Sequence, residues 1–188
     1  MKKLGFTLIE TLVAIALLTV AIVAPMSLTS QSLSSAYYAR DQVTAFYLAQ
    51  EAIEALRSVR DGNILKVSQG EVVNLLSSFP DTNSNPFTID ARNNSMQLCP
   101  VEGCPPLQTD STLTLYGYSP SDPSWTNTNF TRTVRACFVH SGGTCDGSVS
   151  DEVRLTVQVQ WITGGFQTRS FTLVENLYRW VNDGSGIQ

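Results

Sequence analysis

From Phe6 to Leu28 the chain is a run of apolar side chains broken by one ionisable residue, Glu10. Coiled as a helix, that run is long enough to cross the ~30 Å hydrocarbon core of a bilayer. The pattern then changes without stopping. Leu33, Ala36, Tyr37, Val43, Phe46, Tyr47, Ile53 and Leu56 recur at spacings of three and four, while Arg40, Asp41, Gln50, Glu51, Glu54 and Arg57 fill the other faces. Such spacing predicts a soluble amphipathic half that continues the apolar one and lays a stripe on a core. Arg60-Asp61-Gly62-Asn63 predicts its end, a glycine stop with arginines in the last turns. The whole helix, Phe6 to Asp61, would measure about 84 Å, far more than a globular domain needs.

Residues 64 to 98 read as an irregular connection, with a short helix expected over Glu71 to Ser78 and a short strand over Pro86 to Ala91. Beyond them the period becomes two. Leu113 and Leu115 alternate with Thr112 and Thr114, and Thr131 to His140 forms another extended run. Val153, Leu155, Val157, Val159 and Trp161 alternate with Arg154, Thr156, Gln158 and Gln160; Gly164-Gly165 is a hairpin signal, after which Phe166 to Val174 returns. One apolar face per strand calls for an antiparallel sheet with a cover, and the second half of the long helix is that cover. The expected fold class is α+β, one domain's worth of chain outside the membrane.

Charge narrows the partners. The chain has 12 basic and 16 acidic residues in 188, and Lys2 and Lys3 are two of the basic ones. With those two set aside the remainder is acidic, so no direct binding of nucleic acid is expected. The two lysines hold the leader on the cytoplasmic side and put everything after the span outside. A secretory signal competes, because Ser34-Ser35-Ala36 offers a small-x-small cleavage site, but its apolar region would be shorter and the helical pattern here runs through Ala36. A plain single-pass anchor competes as well, and leaves Glu10 without a reason. A carboxylate in a membrane segment costs on the order of 2 to 3 kcal/mol at the bilayer centre, less near an edge, and marks a function with a partner.

Taken in order, KKLG at 2–5 followed by FTLIETLVAIALL at 6–18 resembles the class III leader of type IV prepilins and type II secretion pseudopilins. In that family a membrane-embedded prepilin peptidase cuts after the glycine and methylates the new amino terminus. The resemblance implies that Gly5 precedes the cut, that Phe6 becomes the N-methylated first residue, and that Glu10 is the assembly glutamate. Elementary chemistry agrees with these roles. A glycine leaves the backbone open to close approach. Glu10 lies where the helix macrodipole favours negative charge, and a charge pair with the Phe6 ammonium of a neighbouring subunit would set axial register. Pro25 lacks an N–H and crowds the carbonyl of Ala21; it either kinks or loosens the helix there, as in many pilins, or is a proline tolerated in a membrane span.

Tyr47 to Leu56 with RSVRDGN after it, FTRTV at 130–134 and LYRW at 177–180 are similar to minor pilins of the PilV sort. The resemblance implies the type IV pilin fold, a long N-terminal helix packed on a C-terminal antiparallel sheet. Its parts would be a leader at 1–5, a transmembrane and assembly half at 6–28, an amphipathic half at 29–62, a head domain at 63–182 and a flexible tail at 183–188. The implied function is structural and non-enzymatic: a minor pilin held in the cytoplasmic membrane, N-terminus in and C-terminus out, then joined to other pilin subunits through its helix in a surface filament. A minor pseudopilin of a type II secretion system, or a filament-borne adhesin, are the alternatives.

Four cysteines allow three pairings, and on the exported side of a membrane an even count points to disulfides. The local bridges Cys99 to Cys104 and Cys137 to Cys145 are expected, because each closes a loop of turn residues. A zinc site is the alternative, though spacings of four and seven residues fit a zinc ribbon poorly. His140, the one histidine, stands at a strand end, where a hydrogen-bonded edge residue is expected in place of a catalytic one. Asp81-x-Asn83-x-Asn85 begins like a calcium loop but has Pro86 and Arg92 where glycine and glutamate are needed, so no metal is expected. Asn93-Asn94-Ser95 and Asn129-Phe130-Thr131 match glycosylation acceptors, a triplet that chance supplies often. No phosphate loop, dinucleotide fingerprint or catalytic set is found, and no cofactor is expected. Trp125, in the loop expected at Ser119 to Asn129, either contacts a sugar or partner or folds back onto the sheet.

Overall fold

The computed structural model describes residues 5, 7–80, 85–110, 112, 115–140, 143–145, 150–163 and 167–181, apart from the Ala24 side chain. One helix, α1 (Leu8–Ser68), is followed by seven strands: β1 (Phe87–Asp90), β2 (Ser95–Leu98), β3 (Pro106–Asp110), β4 (Tyr116–Gly117), β5 (Trp125–Phe138), β6 (Glu152–Thr163) and β7 (Gln167–Tyr178). The chain divides into two compact units at Arg40 and Asp41.

The unit from Asp41 onward holds the core. Its strands pair antiparallel throughout, in the order β2-β1-β5-β3-β4, with β6 added to β5 and β7 to β6. The period-two pattern decides which side chains go inward: Val134, Ala136 and Phe138 of β5 and Val153, Leu155, Val157, Val159 and Trp161 of β6 are buried, while the residues between them are not. Over this face lies the second half of α1, which buries Leu48, Ile53 and Leu56 together with the alanines at 45, 49, 52 and 55. Alanines at the contact let a helix approach a sheet closely. The sheet therefore sits beneath a cover from its own chain, as the alternating pattern predicted, and the architecture is the α+β pilin fold that the resemblance implied.

Polar contacts pin that cover. The Arg132 side chain of β5 is fully buried and donates to the Leu48 carbonyl at 3.0 Å, to Glu51 Oε2 at 2.8 Å and to the Ile89 carbonyl at 2.6 Å. One guanidinium thus ties α1, β5 and β1. Arg57 bridges to Glu175 of β7 at 2.6 Å, and the ring of Phe46 meets that of Phe171 edge-on at 5.5 Å.

Several expectations need correcting. α1 does not stop at Gly62; it runs to Ser68. A mid-helix glycine costs about 1 kcal/mol, and Asn63 beside it is buried, donating to the Leu75 carbonyl at 3.2 Å and to Ser78 Oγ at 2.9 Å. These tertiary bonds hold the extra turns. The end comes at Gly70, in the left-handed region with φ 89°. The Glu71 N–H bonds to the Lys66 carbonyl and the Gly70 N–H to that of Val67, the paired closure of a Schellman cap. Glu71 to Ser78 is not a helix: 71–74 carry no regular element and 75–78 form a turn. Residues 64 to 98 are less irregular than expected, since they hold the last turns of α1 and the β1–β2 hairpin. Trp125 to Asn129 belongs to β5 rather than to a loop, because Gln108, Thr109 and Asp110 of β3 pair with Asn127, Thr126 and Trp125. Leu115 lies just before β4 instead of within a strand. Leu113 and Thr114, Gly164-Gly165 with Phe166, Asp81 and Asn83, and the tail from 183 lie outside the described residues.

Candidate functional site

In the N-terminal half of α1 the large apolar side chains are exposed among the described residues. Leu8 is 82 % exposed, Leu17 67 % and Val20 68 %, and the other large apolar side chains out to Leu33 are likewise exposed. By length and composition α1 is apolar enough to cross a membrane. Gly5 is exposed, and a Cβ built there would meet nothing within 4 Å. Phe6, Lys2 and Lys3 lie outside the described residues, so cutting and methylation at Phe6 stay an expectation from sequence.

Glu10 sits in the first turn of α1. The Thr7 carbonyl accepts from the backbone of Glu10 at 3.1 Å and of Thr11 at 3.2 Å, which makes Thr7 the N-cap. Both the Thr7 N–H and its hydroxyl reach Glu10 Oε2 at 3.4 Å. Thr7-Leu8-Ile9-Glu10 is thus the carboxylate half of a capping box, a T-x-x-E signal that reasoning from the apolar run alone passes over. The bonds are long and fully exposed, so the carboxylate is loosely held and open to a better donor. An ammonium is such a donor.

Pro25 lies inside α1, which continues on both sides of it. The hydroxyls of Thr11, Thr19 and Thr29 donate to the carbonyls of Leu8, Ala16 and Pro25 at 2.8 to 2.9 Å. Each threonine is satisfied within its own helix.

All four cysteines are bonded, Cys99 to Cys104 across 4.7 Å between Cα atoms and Cys137 to Cys145 across 5.3 Å. No thiolate is left for zinc. The second bridge closes a loop in which Val139 pairs with Cys145 and the His140 N–H bonds to the Thr144 carbonyl at 3.1 Å. Among the described residues no group of three or more His, Cys, Asp or Glu is placed to hold a metal ion.

The remaining chemistry of the head is structural. Asp90 is buried and receives Arg92 through Nε at 3.0 Å and a terminal nitrogen at 2.6 Å, with the Tyr118 N–H at 3.0 Å. Burial works against its charge, but the Arg92 guanidinium and the two backbone N–H groups outweigh it and hold the carboxyl below its ordinary value. Arg92 in turn stacks on the ring of Trp125, 4.2 Å from its centroid. A Cβ at Gly117 would lie 2.5 Å from Arg92 Nε, so a side chain there would have to displace the guanidinium from Asp90. Trp125 is therefore half-buried under an arginine on the sheet. Burial also pushes the Tyr118 phenol up, against the positive charge of Arg132.

Residues 1–24 match a family model described as the prokaryotic N-terminal methylation motif. Neither a curated protein nor a solved structure matches the chain. The chain thus carries a prepilin-type leader at the start of an apolar helix, the hallmark of a type IV pilin-like precursor, and leader and helix together support anchoring in a membrane before assembly. Proteins with this leader are structural subunits rather than enzymes, processed by prepilin peptidase and assembled with other pilin subunits.

Proposed function

We propose that the chain is a minor type IV pilin, stored N-in and C-out in the cytoplasmic membrane, cut after Gly5, methylated on Phe6 and built into a surface filament. The observation that carries this reading is an overlap: the methylation motif over residues 1–24 runs into a helix that starts at Leu8 and whose first half has bare apolar side chains. Lipid covers that surface in the stored precursor, and neighbouring helices cover it in the filament. Glu10, held only by 3.4 Å contacts to Thr7, exchanges them for the Phe6 ammonium of the next subunit, which fixes axial register. The heads, each with its own sheet and disulfides, coat the outside.

Intact mass and N-terminal sequencing of the chain from sheared surface filaments test the reading in one measurement. The expected product starts at Phe6 and carries one added methyl group; a chain that keeps Met1 or begins near Ala36 would falsify it. Glu10→Ala should be cut normally yet be missing from filaments. The secretion pseudopilus shares all of this chemistry, and a search for the chain in surface fibres against a periplasmic machine separates the two.

A further inference from the structure

Strands β5, β6 and β7 have two faces, and α1 covers one. On the other, the strand register lays side chains in rows: Thr131, Gln160 and Ser170 form one, and Thr133, Gln158 and Thr172 the next, all at least partly exposed. These six are neutral, each carrying a hydroxyl or amide able to donate and to accept. Beyond them stand two arginines. Arg135 faces Thr156 and Arg154 faces Cys137 across the β5–β6 ladder, which makes them diagonal neighbours roughly 7 Å apart.

Like charges at that spacing repel, and no carboxylate among the described residues forms an ion pair with either of them. Arg57, Arg60, Arg92, Arg132 and Arg179 each hold a carboxylate. Among the described residues the side chains of Arg135 and Arg154 make no ion pair or hydrogen bond. Glu152, two positions from Arg154 along β6, is the near acid on this face and is not bridged to it. In a chain of net charge -4, two adjacent cations against a single acid, Glu152, leave this part of the face positive and are a binding feature for a negative group.

The rest of the face decides the kind of ligand. A protein partner needs a desolvated apolar anchor, and the exposed apolar side chains of this face, Ile162, Val174 and Tyr178, stand in separate rows and form no patch. Duplex nucleic acid draws its affinity from many phosphate contacts, and an acidic chain with two such guanidiniums supplies few. A polymer of acidic sugars needs a few cations for its carboxylates and many small donors and acceptors for its hydroxyls. We propose that the sheet face turned away from α1 is a binding site for an acidic polysaccharide, with Arg135 and Arg154 holding its carboxylates and the Thr/Gln/Ser rows its hydroxyls.

The test uses the full chain in detergent micelles with both disulfides intact, so it does not depend on filament assembly and its failure leaves the pilin reading standing. Polygalacturonate is titrated against it, with dextran as neutral polymer, duplex DNA as phosphate polymer and polyglutamate as acidic polypeptide. Expected is binding of polygalacturonate that weakens with added salt, and little binding of the other three. Arg135→Ala with Arg154→Ala should weaken it about tenfold without moving the unfolding midpoint, since both side chains are solvent-facing. Lysines at both positions should retain part of the affinity. The proposal is overturned if polygalacturonate does not bind, if the double alanine variant binds as the wild type does, or if DNA or polyglutamate binds more tightly.

Discussion

The same helix meets opposite conditions before Arg40 and after Asp41. In its first half Leu17 is 67 % exposed; in its second Leu56 is fully buried. Both leucines belong to helical runs of good propensity, so the difference lies entirely in their surroundings. The second half is stabilised by the sheet it covers, and the first half has to find its partners elsewhere. The comparison teaches where selection for packing acts: within the chain for the head, between molecules or against lipid for the rod.

Breaking the head's clamp should produce the largest effect. Arg132→Ala strips donors from Glu51 and from two backbone carbonyls inside the core, for an expected loss of about 3 to 5 kcal/mol. Denaturant unfolding followed by tryptophan fluorescence reads this, and a loss under about 1 kcal/mol would mean the clamp is ornamental. A sharper contrast uses one substitution twice. Leu56→Ala should cost about 3 kcal/mol in the same assay, while Leu17→Ala should leave head stability within about 0.5 kcal/mol and act only on membrane retention or filament yield. Equal effects on head unfolding would erase the distinction between the halves.

Replacing Cys137 and Cys145 together by alanine should cost about 2 to 3 kcal/mol, again without touching the rod. The smallest expected effect is a pH dependence. The Asp90 carboxyl is held below its ordinary value of 3.8, so the unfolded chain takes up its proton first. Its contribution to stability is complete above about pH 4 and falls away as the medium is acidified through the lower folded value. Asp90→Asn should flatten this part of the acid limb in a series of urea midpoints between about pH 2 and 6. An unchanged slope would show that the Arg92 contact carries no linkage.

Much of this was legible in the sequence because it is local. The apolar run, the amphipathic half, the β6 alternation and the cysteine spacing all report a period or a loop that nearest neighbours define. The features that escaped were decided by distant partners. Gly62 looked like a stop, and the bonds of Asn63 to Leu75 and Ser78 carried α1 six residues past it. Trp125 looked like a loop residue, since SPSDPS before it reads as turn, yet β3 pairs with it. Arg132 carried no signal of burial in FTRTV; only the approach of Leu48 and Ile89 in space makes a core position for it. At the N-terminus the T-x-x-E box is a local signal as well, since Thr7 and Glu10 are three residues apart and meet within the first turn.

The threonine hydroxyls of the rod carry a last consequence. Thr11, Thr19 and Thr29 turn their protons back to carbonyls one turn earlier, so these three hydroxyls ask nothing of what surrounds the shaft. Moving it from oil to a crowd of similar shafts then swaps one set of dispersion contacts for another of nearly equal depth. On the pilin reading proposed above, such a rod passes between the two media at little cost, and Glu10 near its tip is what tells them apart.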